Sequence, residues 1–160
     1  MSTPASIAKH PLHPMLVVFP IGLWVFSLIS DFVFLLGGDA RWNDVAFYTM
    51  AGGLIGAVLA AVPGFVDMFS ISDKKVGKIA WNHMILNLIA VVIFAVDFYL
   101  RLRNPAGGTF PVVLSVTGVL FIAVSGWLGG EMVYIHGMAA QQQSVGATRE
   151  ERRKAQGGRG

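Results

Sequence analysis

The chain has 160 residues, of which 54% are hydrophobic and 13% charged, against about 25% charged in an ordinary soluble domain. It contains no cysteine, which excludes disulfides, thiolate metal sites and cysteine-ligated clusters. The net charge of +3 and the isoelectric point near 9.5 arise from residues in loops and tail, so they leave no nucleic-acid footprint.

A membrane span needs about 20 mostly apolar residues. Four runs qualify: residues 14–36, 46–68, 80–100 and 111–133. The connections between them, at 37–45, 69–79 and 101–110, are short. Short connections make neighbouring helices antiparallel, so the fold class expected is an all-α membrane protein, an up-down-up-down bundle of four transmembrane helices. The first run is too long for a signal peptide and no A-x-A cleavage site follows it, so it is expected to be retained. The domain division expected is an N-terminal segment at 1–9, the transmembrane domain at 10–137 and a tail at 138–160. The tail is rich in Gln, Gly and Arg and reads as disordered.

Lys and Arg favour the cytoplasmic side of a membrane. The N-terminal side, side A, carries Lys9, Lys74, Lys75, Lys78, Arg149, Arg152, Arg153, Lys154 and Arg159, whereas side B carries Arg41, Arg101 and Arg103. Both termini are therefore expected in the cytoplasm, in an inner membrane. On the second helix Gly52, Gly56, Ala60 and Gly64 recur every four residues, and Gly126 and Gly130 repeat the spacing on the fourth. Such stripes let helices approach closely in lipid.

Antiparallel threading gathers all four histidines at side A. His10 and His13 open the first helix, His83 lies one turn inside the third, and His136 follows the fourth. Asp67, near the end of the second helix, and Glu131, inside the fourth, join them. Ionisable groups in a span cost about 2.5–3.5 kcal/mol each, so they pair or serve a function. Imidazole and carboxylate together suit iron, copper or zinc, and opposed imidazoles suit haem. The metal ligands expected are His13, His83 and His136, with Asp67 and Glu131 as further ligands or as groups that orient the imidazoles; for a haem the candidates are His10, His13, His83 and His136. The competing reading has these groups capping helices and bonding each other. His10 and His13 each precede a proline, a position that avoids helical geometry, so they also suit a turn into Pro14.

A second polar feature points towards side B. Asp31 follows His13 by eighteen residues, five full turns, and His83, Asn87 and Asp97 fall within about 40° of one direction at 100° per residue. This stripe suits a proton path, or a local network in which Asp97 pairs with Arg101 one turn on. No phosphate loop, nucleophile elbow, HExxH or dinucleotide fingerprint occurs.

The strings HPLHPMLVVFPIGLW, AAVPGFVDMF, WNHMILN and GWLGGEMVYIHG resemble a bacterial family of predicted membrane proteins, domain of unknown function 2231, over about residues 10–138. The matching motif positions are His10, His13, Pro14, Asp67, His83, Asn87, Gly129, Gly130, Glu131, His136 and Gly137. The resemblance implies four helices. Fusion of some members to Rieske-type iron–sulfur domains hints at electron transfer. With no cysteine in this chain, a Rieske-type partner would be a separate protein. Three functions follow as expectations: a small redox protein holding haem b or a transition metal at side A, a non-enzymatic accessory subunit with a structural polar layer, and a small transporter or proton pathway, with a homo-oligomer compatible with each. No internal repeat is evident in the sequence, which weighs against a stand-alone transporter.

Overall fold

The computed structural model describes residues 5–7, 10–105 and 108–135; the tail expected at 138–160 and His136 lie outside them. Two short strands, β1 (Ser6–Ile7) and β2 (His10–Pro11), pair antiparallel ahead of α1 (Leu12–Leu16) and α2 (Val18–Gly37). Then come α3 (Ala40–Met68), α4 (Lys74–Arg103), α5 (Thr109–Gly130) and a π-helical turn at Glu131–Ile135. Four spans are long and apolar enough to cross a membrane, with α1 and α2 forming one of them. The chain is an all-α four-helix bundle, as its apolar runs imply.

Local chemistry sets the ends. Asp39 caps α3 by accepting from the Arg41 backbone N–H at 3.0 Å, and hydrogen bonds from Arg41 hold its carboxyl below the usual carboxylate range. Asp73 caps α4 by accepting from the N–H groups of Lys75 and Val76. α2 ends on Gly38 at φ 70°, a left-handed turn that glycine adopts without Cβ strain. Pro14 falls in the first turn of α1 and Pro20 in that of α2, where a missing N–H is tolerated. His13 therefore lies inside a short helix rather than in a turn leading into one. α4 runs to Arg103, so Arg101 belongs to the helix and not to the connection.

The outer surface is apolar, with Phe19, Leu36, Ile55, Val62, Val92 and Leu120 all exposed. Trp81, Trp127 and Tyr134 stand exposed towards side A, and Tyr48, Tyr99 and Phe110 towards side B, the two levels at which a bilayer favours amphipathic rings. Inside, Trp24, Met50, Ala90, Phe94 and Ile122 form the central core. Trp24 and Phe94 stack with centroids 4.1 Å apart at 10°, worth about 0.5–1.5 kcal/mol beyond burial.

The bundle is one helical hairpin used twice. α2 packs most heavily on α3, and α4 on α5; across the seam α2 meets α5 and α3 meets α4. Trp24 follows His13 by eleven residues and Phe94 follows His83 by eleven. Trp24 lies against Gly53, and Phe94 against Gly118. His13 bonds the Ala60 carbonyl and lies against Gly64, four residues on. His83 bonds the Ser125 carbonyl and approaches Gly129, again four residues on. Residues seventy apart meet across the seam in three layers: His13 with His83, Trp24 with Phe94, and Asp31 with Arg101. Both hairpins start at side A, so the relation is a parallel repeat about an axis along the membrane normal, where the sequence showed no repeat.

Candidate functional site

The side A layer centres on His13 and His83, whose ring centroids are 6.3 Å apart with planes at 89°. His13 Nδ1 lies 2.8 Å from the Ala60 carbonyl oxygen. A carbonyl only accepts, so this nitrogen carries the proton. Pro63 sits three residues on in α3, and a helix is disturbed where a proline removes a backbone N–H. A Cβ on Gly64 would lie 2.6 Å from His13 Nδ1, so only glycine admits the imidazole.

His83 Nδ1 lies 2.8 Å from the Ser125 carbonyl and 3.0 Å from its hydroxyl. Asn87 Nδ2 lies 2.9 Å from the His83 carbonyl, which fixes that atom as the amide nitrogen, and 3.0 Å from His83 Nε2. Nε2 therefore accepts while Nδ1 donates, a pattern met by a neutral imidazole. Asn87 thus belongs to the site as a direct partner of His83.

The other expected residues distribute differently. Asp67 accepts from the Ala5 N–H at 3.0 Å and ties the N-terminal segment to the end of α3. His10 is exposed on β2. Glu131 opens the π-helical turn, which α5 and α4 contact; Met132 in that turn packs with Val76 and Ala80. Among the described residues no group of three or more His, Asp or Glu is placed to hold a metal ion.

The side B layer is a charged network. Arg101 donates to Asp31 twice, Nη1 to Oδ1 at 2.7 Å and Nη2 to Oδ2 at 2.8 Å. Its Nε donates to Asp97 Oδ1 at 3.0 Å, and the Ser115 hydroxyl donates to Asp97 Oδ2 at 2.8 Å. Asp31, Asp97 and Arg101 are 1%, 0% and 4% exposed. Asp97 does pair with Arg101, but the bidentate partner of Arg101 is Asp31. Sequence reasoning had Arg101 as a connection residue and missed Ser115; the available signal was that two acids inside spans require a cation nearby. The Trp24–Phe94 layer lies between this network and the histidines, so the polar stripe read along α4 is interrupted by an apolar plug.

Gly52, Gly56 and Gly64 of the α3 stripe receive Leu23, Pro20 and His13 respectively. Gly126 and Gly130 have no such neighbour within 4 Å, so the α5 stripe makes no close helix contact among the described residues.

A four-span helical bundle with two polar layers separated by an aromatic core defines a small polytopic membrane protein. The family model described as "Predicted membrane protein (DUF2231)" matches residues 9–142, and the chain belongs to that family. No curated protein and no solved structure matches it.

Proposed function

We propose that the protein is a small metal-binding membrane protein with a redox role, and that its metal seat is the His13–His83 pair. The observation that supports this reading is the matched anchoring of the two rings. Each Nδ1 donates to a backbone carbonyl of the partner helix in its own hairpin. Metal-bound imidazoles characteristically give their second N–H to such an acceptor, which fixes Nε2 as the ligating nitrogen. Centroids 6.3 Å apart match the span of two imidazoles on opposite sides of one ion with nitrogen–metal bonds of about 2.0–2.1 Å. For His83 the Asn87 amide must swing away from Nε2. Imidazole suits iron, copper or zinc, and an ion of variable valence would supply one-electron chemistry. His136, Glu131, Asp67 and His10 are the further ligands that the sequence suggests. The family resemblance makes a membrane redox protein or a Rieske-type protein the partner to seek. Cytoplasmic termini in a bacterial inner membrane, from the Lys and Arg bias, belong to the same reading.

A second reading, a non-enzymatic accessory subunit, is favoured by one observation: both nitrogens of His83 already have protein partners. Metal analysis of the detergent-purified protein separates the two. The metal reading expects a stoichiometric transition metal that falls sharply in both His13→Ala and His83→Ala. A metal-free wild type, or variants with unchanged metal content, would leave the accessory reading.

A further inference from the structure

The side B network carries a charge imbalance that the proposed function does not use. Two carboxylates and one guanidinium leave one negative charge in excess, on side chains at most 4% exposed. The hairpin repeat locates the excess. Asp31 and Arg101 are equivalent positions and balance each other. Asp97 follows His83 by fourteen residues; its counterpart, fourteen after His13, is Ser27, whose hydroxyl donates to the Ala46 carbonyl at 2.8 Å. The second hairpin has an acid where the first has a neutral hydroxyl. An uncompensated charge so buried is strongly disfavoured.

We propose that the Asp31–Arg101–Asp97–Ser115 cluster holds one exchangeable proton, carried on Asp97 at the oxygen facing Ser115. The 2.8 Å contact between Ser115 Oγ and Asp97 Oδ2 serves donation in either direction. With Asp97 ionised, the Ser115 hydroxyl donates to Oδ2 across 2.8 Å. With Asp97 protonated, Oδ2 donates to Ser115 Oγ and the hydroxyl hydrogen rotates towards the carbonyl one turn back in α5, an acceptor that helical Ser commonly uses. The other three carboxylate oxygens keep their Arg101 donors in both forms.

A proton suits the site better than a metal cation. Calcium takes six to eight oxygens at about 2.3–2.6 Å, whereas the four oxygens here are already engaged and the neighbouring charge is a guanidinium. The charged groups facing Asp97 are Asp31 from α2 and Arg101 from α4; α5 contributes the uncharged Ser115, and α3 brings it no ion pair or hydrogen bond among the described residues. Exchange runs towards side B. Asp97 lies six residues from the end of α4, about 9 Å along the axis, and the Trp24–Phe94 layer closes the other direction.

Infrared spectroscopy of the full chain in lipid tests this. The wild type is expected to show a protonated-carboxyl band at neutral pH that shifts in D2O, disappears in Asp97→Asn and moves in Ser115→Ala. Asp97→Asn preserves shape and leaves the Asp31–Arg101 pair balanced, so it should fold; if it does not, the movement of the band in Ser115→Ala is the deciding readout. A wild type with no such band, or a band unchanged in both variants, overturns the proposal. Stabilisation by sodium but not potassium in a protein without the band would make the cluster a cation site and would likewise overturn it.

Discussion

At side A, His13 and His83 bond backbone carbonyls of α3 and α5 and meet each other only edge to face. At side B, Arg101 gathers Asp31, Asp97 and Ser115 into a network made of side chains alone. Both layers lie on the same seam, at equivalent heights of the two hairpins. The first holds rings whose second nitrogens are directed by the backbone, with every hydrogen bond of the rings inside one hairpin. The second ties hairpin to hairpin with full charges. Backbone anchoring engages Nδ1 of each ring and leaves Asn87 as the group a ligand must displace from His83 Nε2, while mutual pairing of charges uses the side B groups up. That difference is why the metal reading rests on the histidines and the cohesion of the seam on the arginine.

The strongest way to break the contrast is Arg101→Gln. It leaves Asp31 without its bidentate partner in a dry layer, and removing one member of a buried ion pair costs about 3–5 kcal/mol. Thermal unfolding in detergent should show a large fall, partly recovered by adding Asp31→Asn. A small fall without the second substitution would mean that the network is solvated. Next in size is Gly53→Ala, between the layers, where a Cβ would run into the Trp24 indole. Overpacking of this kind costs about 1–3 kcal/mol, and the loss should appear with metal content unchanged. His83→Ala sharpens the side A half: as a purely structural residue its loss should cost about 0.5–1.5 kcal/mol, or about 1–3 where the Asn87 N–H that faced the ring is left unsatisfied, so a fall in stability smaller than that of Arg101→Gln is expected. The smallest effect belongs to Arg41→Ala. Arg41 pairs with Asp39 at 2.7 Å just as Arg101 does with Asp31, but its side chain is 88% exposed, and the unfolding midpoint should not move measurably, since exposed pairs contribute little.

Much of this was legible in the sequence. Four apolar runs gave four spans because lipid forces every backbone group to be satisfied within its own helix. His10, His13 and His83 share one end, since antiparallel threading depends only on helix count, while His136 lies outside the described residues; Asp31 and Asp97 face inward as their charge requires. Contacts between distant residues were not legible. Arg101 looked like the first residue of a connection because an apolar run stops at a cation, yet its partners lie inside the bundle. Asp67 shares the side A end with the histidines, but proximity along the axis says nothing of direction, and its carboxylate turns to Ala5. The repeat escaped notice because equivalent positions hold different residues: Trp24 and Phe94, Asp31 and Arg101, Ala60 and Ser125. The offset also changes, from seventy residues between α2 and α4 to sixty-five between α3 and α5.

The Asp31–Arg101 bond also has a consequence in time. Synthesis runs from the N-terminus, so the chain makes Asp31 seventy residues before Arg101. During that interval the first hairpin enters the bilayer with a carboxyl that lacks its guanidinium, at about 2.5–3.5 kcal/mol if it is held at the centre of the membrane. Asp31 stands six residues before the end of α2, close enough to the side B surface for headgroups and water to serve it. The first hairpin is therefore expected to ride shallow, with its carboxyl at the surface, until α4 arrives. Docking of the second hairpin then draws Asp31 inward, and the order of insertion is written into which half carries the acid and which the base.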